Sequence, residues 1–176
     1  MPQLVQWMVA LVASGVAAVT DLRAGKVYNW LTVPTLLVGL ALHTAASGLS
    51  GALFALEGLA VAIALLVGIG LMGRLIGGGD AKLLLALGAV LGPVALLQSF
   101  AAGAIIGGVV ALLTALHHRR LKAELAGLGR SVAVRVWGRC PMDAYTSASV
   151  RLPYAVALAL GVALACVYNV GGVKAW

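Results

Sequence analysis

Apolar residues in this chain come in runs long enough to cross a lipid bilayer, unlike the short alternating or striped patterns of a water-soluble fold. The runs extend from Leu4 to Thr20, Trp30 to Ala46, Gly51 to Met72, Ala81 to Gln98, Phe100 to Leu116 and Pro153 to Val170. Each predicts a membrane helix. The expected fold is all-α, a polytopic membrane helix bundle of six transmembrane helices forming a single domain over residues 1–176. The first run ends in small residues as signal peptides do, but no Lys or Arg precedes its apolar core, so it reads as a span. Gly88-xxx-Gly92, Gly103-xxx-Gly107 and Ala157-xxx-Gly161-xxx-Ala165 supply small residues where helices can approach closely.

The links between the runs are strongly unequal in charge. Arg23 and Lys26 follow the first run, and Arg74 and Lys82 flank the third link. Arg119, Arg120, Lys122, Arg130, Arg135, Arg139 and Arg151 lie in the fifth. All 12 Lys and Arg except Lys174 therefore fall on one side of the expected bundle. The uncharged links, Ser47 to Ser50 and the turn expected near Ser99, fall on the other. By the positive-inside rule the basic side is cytoplasmic and both termini face outward, in the cytoplasmic (inner) membrane.

Composition agrees with the pattern. The chain is 62% hydrophobic and 10% charged, against about 45–50% and about 25% in soluble domains. That excludes both an ordinary soluble globule and a disordered chain. The net charge of +7 is assigned to loop–lipid contact, with membrane lipids, anionic ones in particular, as partners and no nucleic acid. Cys140 and Cys166 form no CxxC pair, so neither a zinc site nor a disulfide framework is expected, and no other metal or cofactor is assigned. The basic cytoplasmic loop, about residues 117–152, carries Leu121, Leu125, Leu128, Val132 and Val136 at helical spacing, the pattern of a helix lying on anionic lipid. His117 and His118 open that loop and are expected to be solvated.

With only five acidic residues in the chain, each carries weight. Asp21 ends the first run, where the helix dipole opposes it. Its bland explanation is an ion pair with Arg23 or Lys26. Asp80 follows Gly77-Gly78-Gly79 and opens the fourth run, where it could simply cap a helix. Three successive glycines exceed what a cap needs, and they allow another peptide backbone to approach the carboxylate. The topology puts both acids at the cytoplasmic boundary. Two carboxylates held together share a proton. The charged one can deprotonate water while the protonated one polarises a peptide carbonyl, which is aspartyl proteolysis.

Gly77-Gly78-Gly79-Asp80-Ala81-Lys82, continuing into Leu83-Leu84-Leu85-Ala86-Leu87-Gly88, resembles the GxGD signature of type IV prepilin peptidases. Asp21-Leu22-Arg23, followed by Val27-Tyr28-Asn29-Trp30-Leu31-Thr32, resembles the first aspartate motif of that family, with Tyr28 where proline is usual. The resemblance covers roughly residues 1–116. It implies a membrane aspartyl endopeptidase (GxGD type) that removes the basic leader of type IV pilin-like precursors at the cytoplasmic face. A prepilin-like protein is then the substrate, Asp21 and Asp80 are the catalytic pair, and Gly77, Gly79 and Asn29 contact substrate. Larger members carry a CxxC-bearing insert and also methylate the new terminus. This chain resembles the short peptidase-only form of tight-adherence or archaeal-type systems, and no methyltransferase activity is expected.

Other residues have quieter expectations. Lys82, two positions after Asp80, does not share its helix face and is expected to snorkel to headgroups. Glu57 and His43, both near the outer side, are expected to pair structurally. The alternative reading is a small proton- or cation-coupled transporter subunit, in which Asp21, Asp80 and Glu57 would string across the bilayer.

Overall fold

The computed structural model describes residues 2–71, 78–117 and 154–170, and every one of its regular elements is helical. The helices are α1 (Pro2–Ala24), α2 (Asn29–Leu71), α3 (Gly78–His117) and α4 (Tyr154–Val170). The expected lipid-surface helix of the basic loop, His118, Gly77 and Cys140 lie outside the described residues.

Two of these helices are much longer than the roughly 20 residues that cross a bilayer, and each is interrupted. α2 breaks at Gly48 (φ 61°). Beyond the break the rings of His43 and Phe54 lie 5.0 Å apart; in a straight helix these residues would stand about 16 Å apart along the axis. The chain therefore folds back on itself at Gly48. α3 breaks at Gly92 (φ 76°, ψ −179°), immediately before Pro93. Proline removes a helical N–H, and the left-handed φ is open to glycine at little cost.

The second break lies earlier than the turn expected near Ser99. Ser99 is fully buried inside the helix, its hydroxyl donating to the Ala95 carbonyl at 2.8 Å. The Gly92–Pro93 pair ends the segment, so the boundary between the fourth and fifth runs moves back from Gln98 to Leu91.

Close contacts give the direction of each segment. In segment 49–71, Gly58 lies against the backbone of Gly88, while Gly39 in segment 29–47 lies against the Ala89 carbonyl. Gly103 approaches the Ala157 carbonyl, Gly161 approaches the backbone of Ser99 and Gly103, and Asn169 Nδ2 donates to Gln98 Oε1 at 2.8 Å. Increasing numbers in 78–91 thus run alongside 29–47 and against 49–71, and 93–117 runs against α4. Such backbone approaches hold helices together where apolar burial contributes nothing, as between helices in lipid.

Segment 78–91 is the centre of the bundle. Leu83, Leu84, Leu87, Val90 and Leu91 are buried, and with Trp7, Leu96, Leu158 and Val162 they form the core. The outer faces of the other helices are apolar and exposed, among them Met8, Val12, Leu53, Val67, Ile105 and Val167. Three helices, Gln3–Ala24, Asn29–Leu71 and Gly78–Val110, are long and apolar enough to cross a membrane. The protein is an integral membrane protein.

Candidate active site

One end of the bundle collects the end of α1 and the starts of α2, α3 and α4. Helix α1 ends at Gly25, whose φ of 60° and N–H bond to the Asp21 carbonyl (2.8 Å) form a left-handed C-cap. That cap holds Asp21 in the last turn. The link through Tyr28 is short. The Tyr28 carbonyl accepts from the N–H groups of Leu31 (3.2 Å) and Thr32 (3.3 Å), so it starts α2 at Asn29. The replacement of the usual proline leaves this carbonyl in place. Helix α3 begins at Gly78, which puts Asp80 inside its first turn, on the favourable side of the helix dipole.

These segments enclose a cavity of about 380 Å³ whose lining includes Asp21, Lys26, Asn29, Gly79 and Asp80. Both carboxylates are half-buried, and the charge of Asp21 acts on Asp80. The two acids, separated in sequence by the whole of α2, share one cavity.

Gly79 is a point of close approach. A methyl group there would stand 3.0 Å from Val27 Cβ, 3.1 Å from its nitrogen and 3.2 Å from its oxygen. The backbone that needs a glycine at this position belongs to the α1–α2 link. Gly78 has open space in the same test. Lys82 Nζ donates to Asn29 Oδ1 at 2.8 Å, a solvent-exposed bond that joins the two sequence motifs instead of reaching for headgroups.

Tyr154 was not legible as a site residue. It is half-buried as the first residue of α4, near enough for its phenol and Asp80 to interact electrostatically. The one available hint was its place as the first polar side chain after the basic loop, on the same side as the acids.

His43 and Glu57 do not pair. The reversal at Gly48 sets Phe54 opposite His43, and His43 Nε2 donates to the Val90 carbonyl at 2.9 Å while Glu57 is exposed. A carbonyl only accepts, so the imidazole proton sits on Nε2. Among the described residues no three His, Cys, Asp or Glu side chains gather as a metal ion would require.

A helical membrane bundle that brings two carboxylates to one cavity at the ends of its helices has the layout of a membrane-embedded acid–base site. Residues 8–112, which contain Asp21, Asn29, Gly79, Asp80 and Lys82, match the model of the type IV leader peptidase family, and the chain belongs to that family. No curated protein matches the chain. No solved structure matches it either.

Proposed function

We propose that this protein is an aspartyl endopeptidase that removes the basic leader of type IV pilin-like precursors, using Asp21 and Asp80 as its acid–base pair. The observation that carries this reading is the single cavity lined by both carboxylates. Like charges held together in a partly desolvated site favour one shared proton. The ionised carboxylate takes a proton from water as its oxygen attacks the scissile carbonyl carbon. The protonated carboxyl donates to the carbonyl oxygen as that oxygen becomes negative. Collapse of the tetrahedral intermediate breaks the C–N bond, and the proton gained from water passes to the leaving nitrogen. No covalent enzyme intermediate is needed.

The cavity sits at the end of the bundle that the charge pattern assigns to the cytoplasm, where Arg23 and Lys26 lie. In this reading segments 2–24, 29–47, 49–71, 78–91, 93–117 and 154–170 cross the inner membrane in alternation and both termini face outward. Asp21 and Asp80 suit a leader rich in Lys and Arg. A transporter would need acids along a path through the bundle, and the exposed position of Glu57 does not supply one.

The test is cleavage of a candidate pilin-like precursor by membranes containing the protein, scored as a gel shift. Wild-type protein should cleave, and Asp21→Asn and Asp80→Asn should not, at matched membrane levels. Substantial turnover by either variant would overturn the paired-acid mechanism.

A further inference from the structure

Helix α1 lies chiefly against α4 and touches α3 only sparsely. The helix that carries Asp21 is therefore held on the helix that carries Asp80 by few direct contacts. Near the site two contacts bridge that gap through the link and the start of α2: Val27 packed on Gly79, and Lys82 bonded to Asn29. The first is packing alone. The second has direction, and its chemistry decides how an amide is turned.

A lysine ammonium has three N–H donors and no acceptor. Whatever faces Lys82 Nζ at 2.8 Å must be an acceptor, so the Asn29 side chain presents Oδ1 to it. The amide NH₂ must then point the other way. Asn29 lines the acid cavity and Lys82 does not. Among the described residues Asn29 Nδ2 has no acceptor. Two N–H donors at the wall of an acidic cavity suit a peptide carbonyl oxygen, which an extended substrate backbone presents along its length.

We propose that Lys82 is a positioning residue: by bonding Oδ1 it locks the Asn29 amide with its NH₂ toward the cavity, as a donor to a backbone carbonyl of the bound precursor. This rests on the peptidase reading and deepens it. The bond to substrate forms in the ground state and persists in the transition state, so its loss raises KM and leaves kcat nearly alone. Because the amide stays near water, the expected loss is about tenfold and no more.

The variants separate the two halves of the idea. Lys82→Met keeps the stem and removes the donor, and KM should rise about tenfold with kcat within about twofold. Lys82→Arg, again all donor, should restore most of the loss. Asn29→Ala removes the amide N–H without adding a charge beside the carboxylates, and it should match Lys82→Met. The double variant Asn29→Ala/Lys82→Met should be no worse than Asn29→Ala alone.

The same substitutions are then made in Asp80→Asn protein, and binding of a synthetic peptide spanning the basic leader and cleavage site is measured without cleavage. Weaker binding of that peptide in the Lys82→Met and Asn29→Ala backgrounds supports the proposal even if no precursor is cleaved, an outcome that would count against the peptidase reading alone. An unchanged KM in Lys82→Met, full activity in Asn29→Ala, or peptide binding that does not depend on Lys82 overturns it.

Discussion

The bundle has a cavity at each end, and no carboxylate lines the larger one. That cavity, about 610 Å³, is lined by residues including Gln3, His43, Ser47, Ser50 and Asn169, at the end opposite the acids. Three of its polar side chains are engaged within the fold. His43 serves the Val90 carbonyl, Ser50 Oγ donates to the Ser47 carbonyl at 2.7 Å, and Asn169 donates to Gln98 and to the Ala165 carbonyl, both at 2.8 Å. These bonds stabilise the reversal at Gly48 and the packing of α4. The smaller cavity, about 380 Å³, holds two like charges and an amide with free donors. Volume and charge part company in this molecule: the two carboxylates, costly to bring together, line the smaller cavity.

If that contrast holds, substitutions at the two ends should differ in kind. The largest effect is expected at the acids. Asp21→Asn and Asp80→Asn should each reduce precursor cleavage by at least about 10³-fold, with the double variant hardly worse, because groups that act as a unit are non-additive. Glu57→Gln, outside both cavities, should leave the rate within about twofold in the same assay. Equal losses at all three acids would erase the distinction between the ends.

Gly79→Ala comes next. The added methyl meets Val27 at 3.0–3.2 Å, so the link between Asp21 and Asn29 must give by a few tenths of an ångström; since about 1 Å at a reacting group costs about 10²-fold in rate, a loss of roughly fivefold to tenfold is expected. Gly78→Ala, with open space around it, should keep near-normal cleavage. Single-turnover rates on the two variants make the comparison, and similar rates would remove Val27 from the account.

Smaller effects sharpen the picture. Tyr154→Phe deletes the hydroxyl near Asp80 while preserving the ring against the core. A several-fold drop in kcat is expected, about the worth of one hydrogen-bonding group. At the opposite end His43→Ala should leave kcat unchanged but destabilise the protein by about 2 kcal/mol, since it strands a buried carbonyl and empties the space beside Phe54. Thermal unfolding in detergent would register the loss. A kcat defect in His43→Ala would mean that the far cavity participates in the chemistry after all.

Much of this was legible in the chain because acids are rare in it. A carboxylate in an apolar sequence is costly enough to be conspicuous, and the glycine run before Asp80 announced a close backbone approach. The identity of the approaching backbone was not legible, because Val27 meets Gly79 only once α1, α2 and α3 are assembled. The break at Gly92 was written in the sequence as a Gly–Pro pair, but the continuous apolar run around it drew the boundary toward the polar Ser99. His43 was matched to Glu57 by charge, whereas its partner is a main-chain carbonyl freed by that same break, and no side-chain inventory contains it. Tyr154 stands beyond the basic loop, and a phenol carries no charge to betray its neighbour.

The early reversal at Gly92 also sets a length. From Asp80 to Leu91 the helix rises about 17 Å at about 1.5 Å per residue, while the hydrocarbon slab of a typical membrane is about 30 Å thick. The stretch between the acid and the break is thus shorter than the lipid slab. Hydrophobic mismatch of this kind is absorbed by thinning the bilayer or by drawing the short helix below the headgroups. In the proposed orientation, either response sets Asp80 beneath the surrounding membrane surface, at the foot of a depression. A substrate reaching the acids in that orientation would meet them at the level of the lipid, not above it.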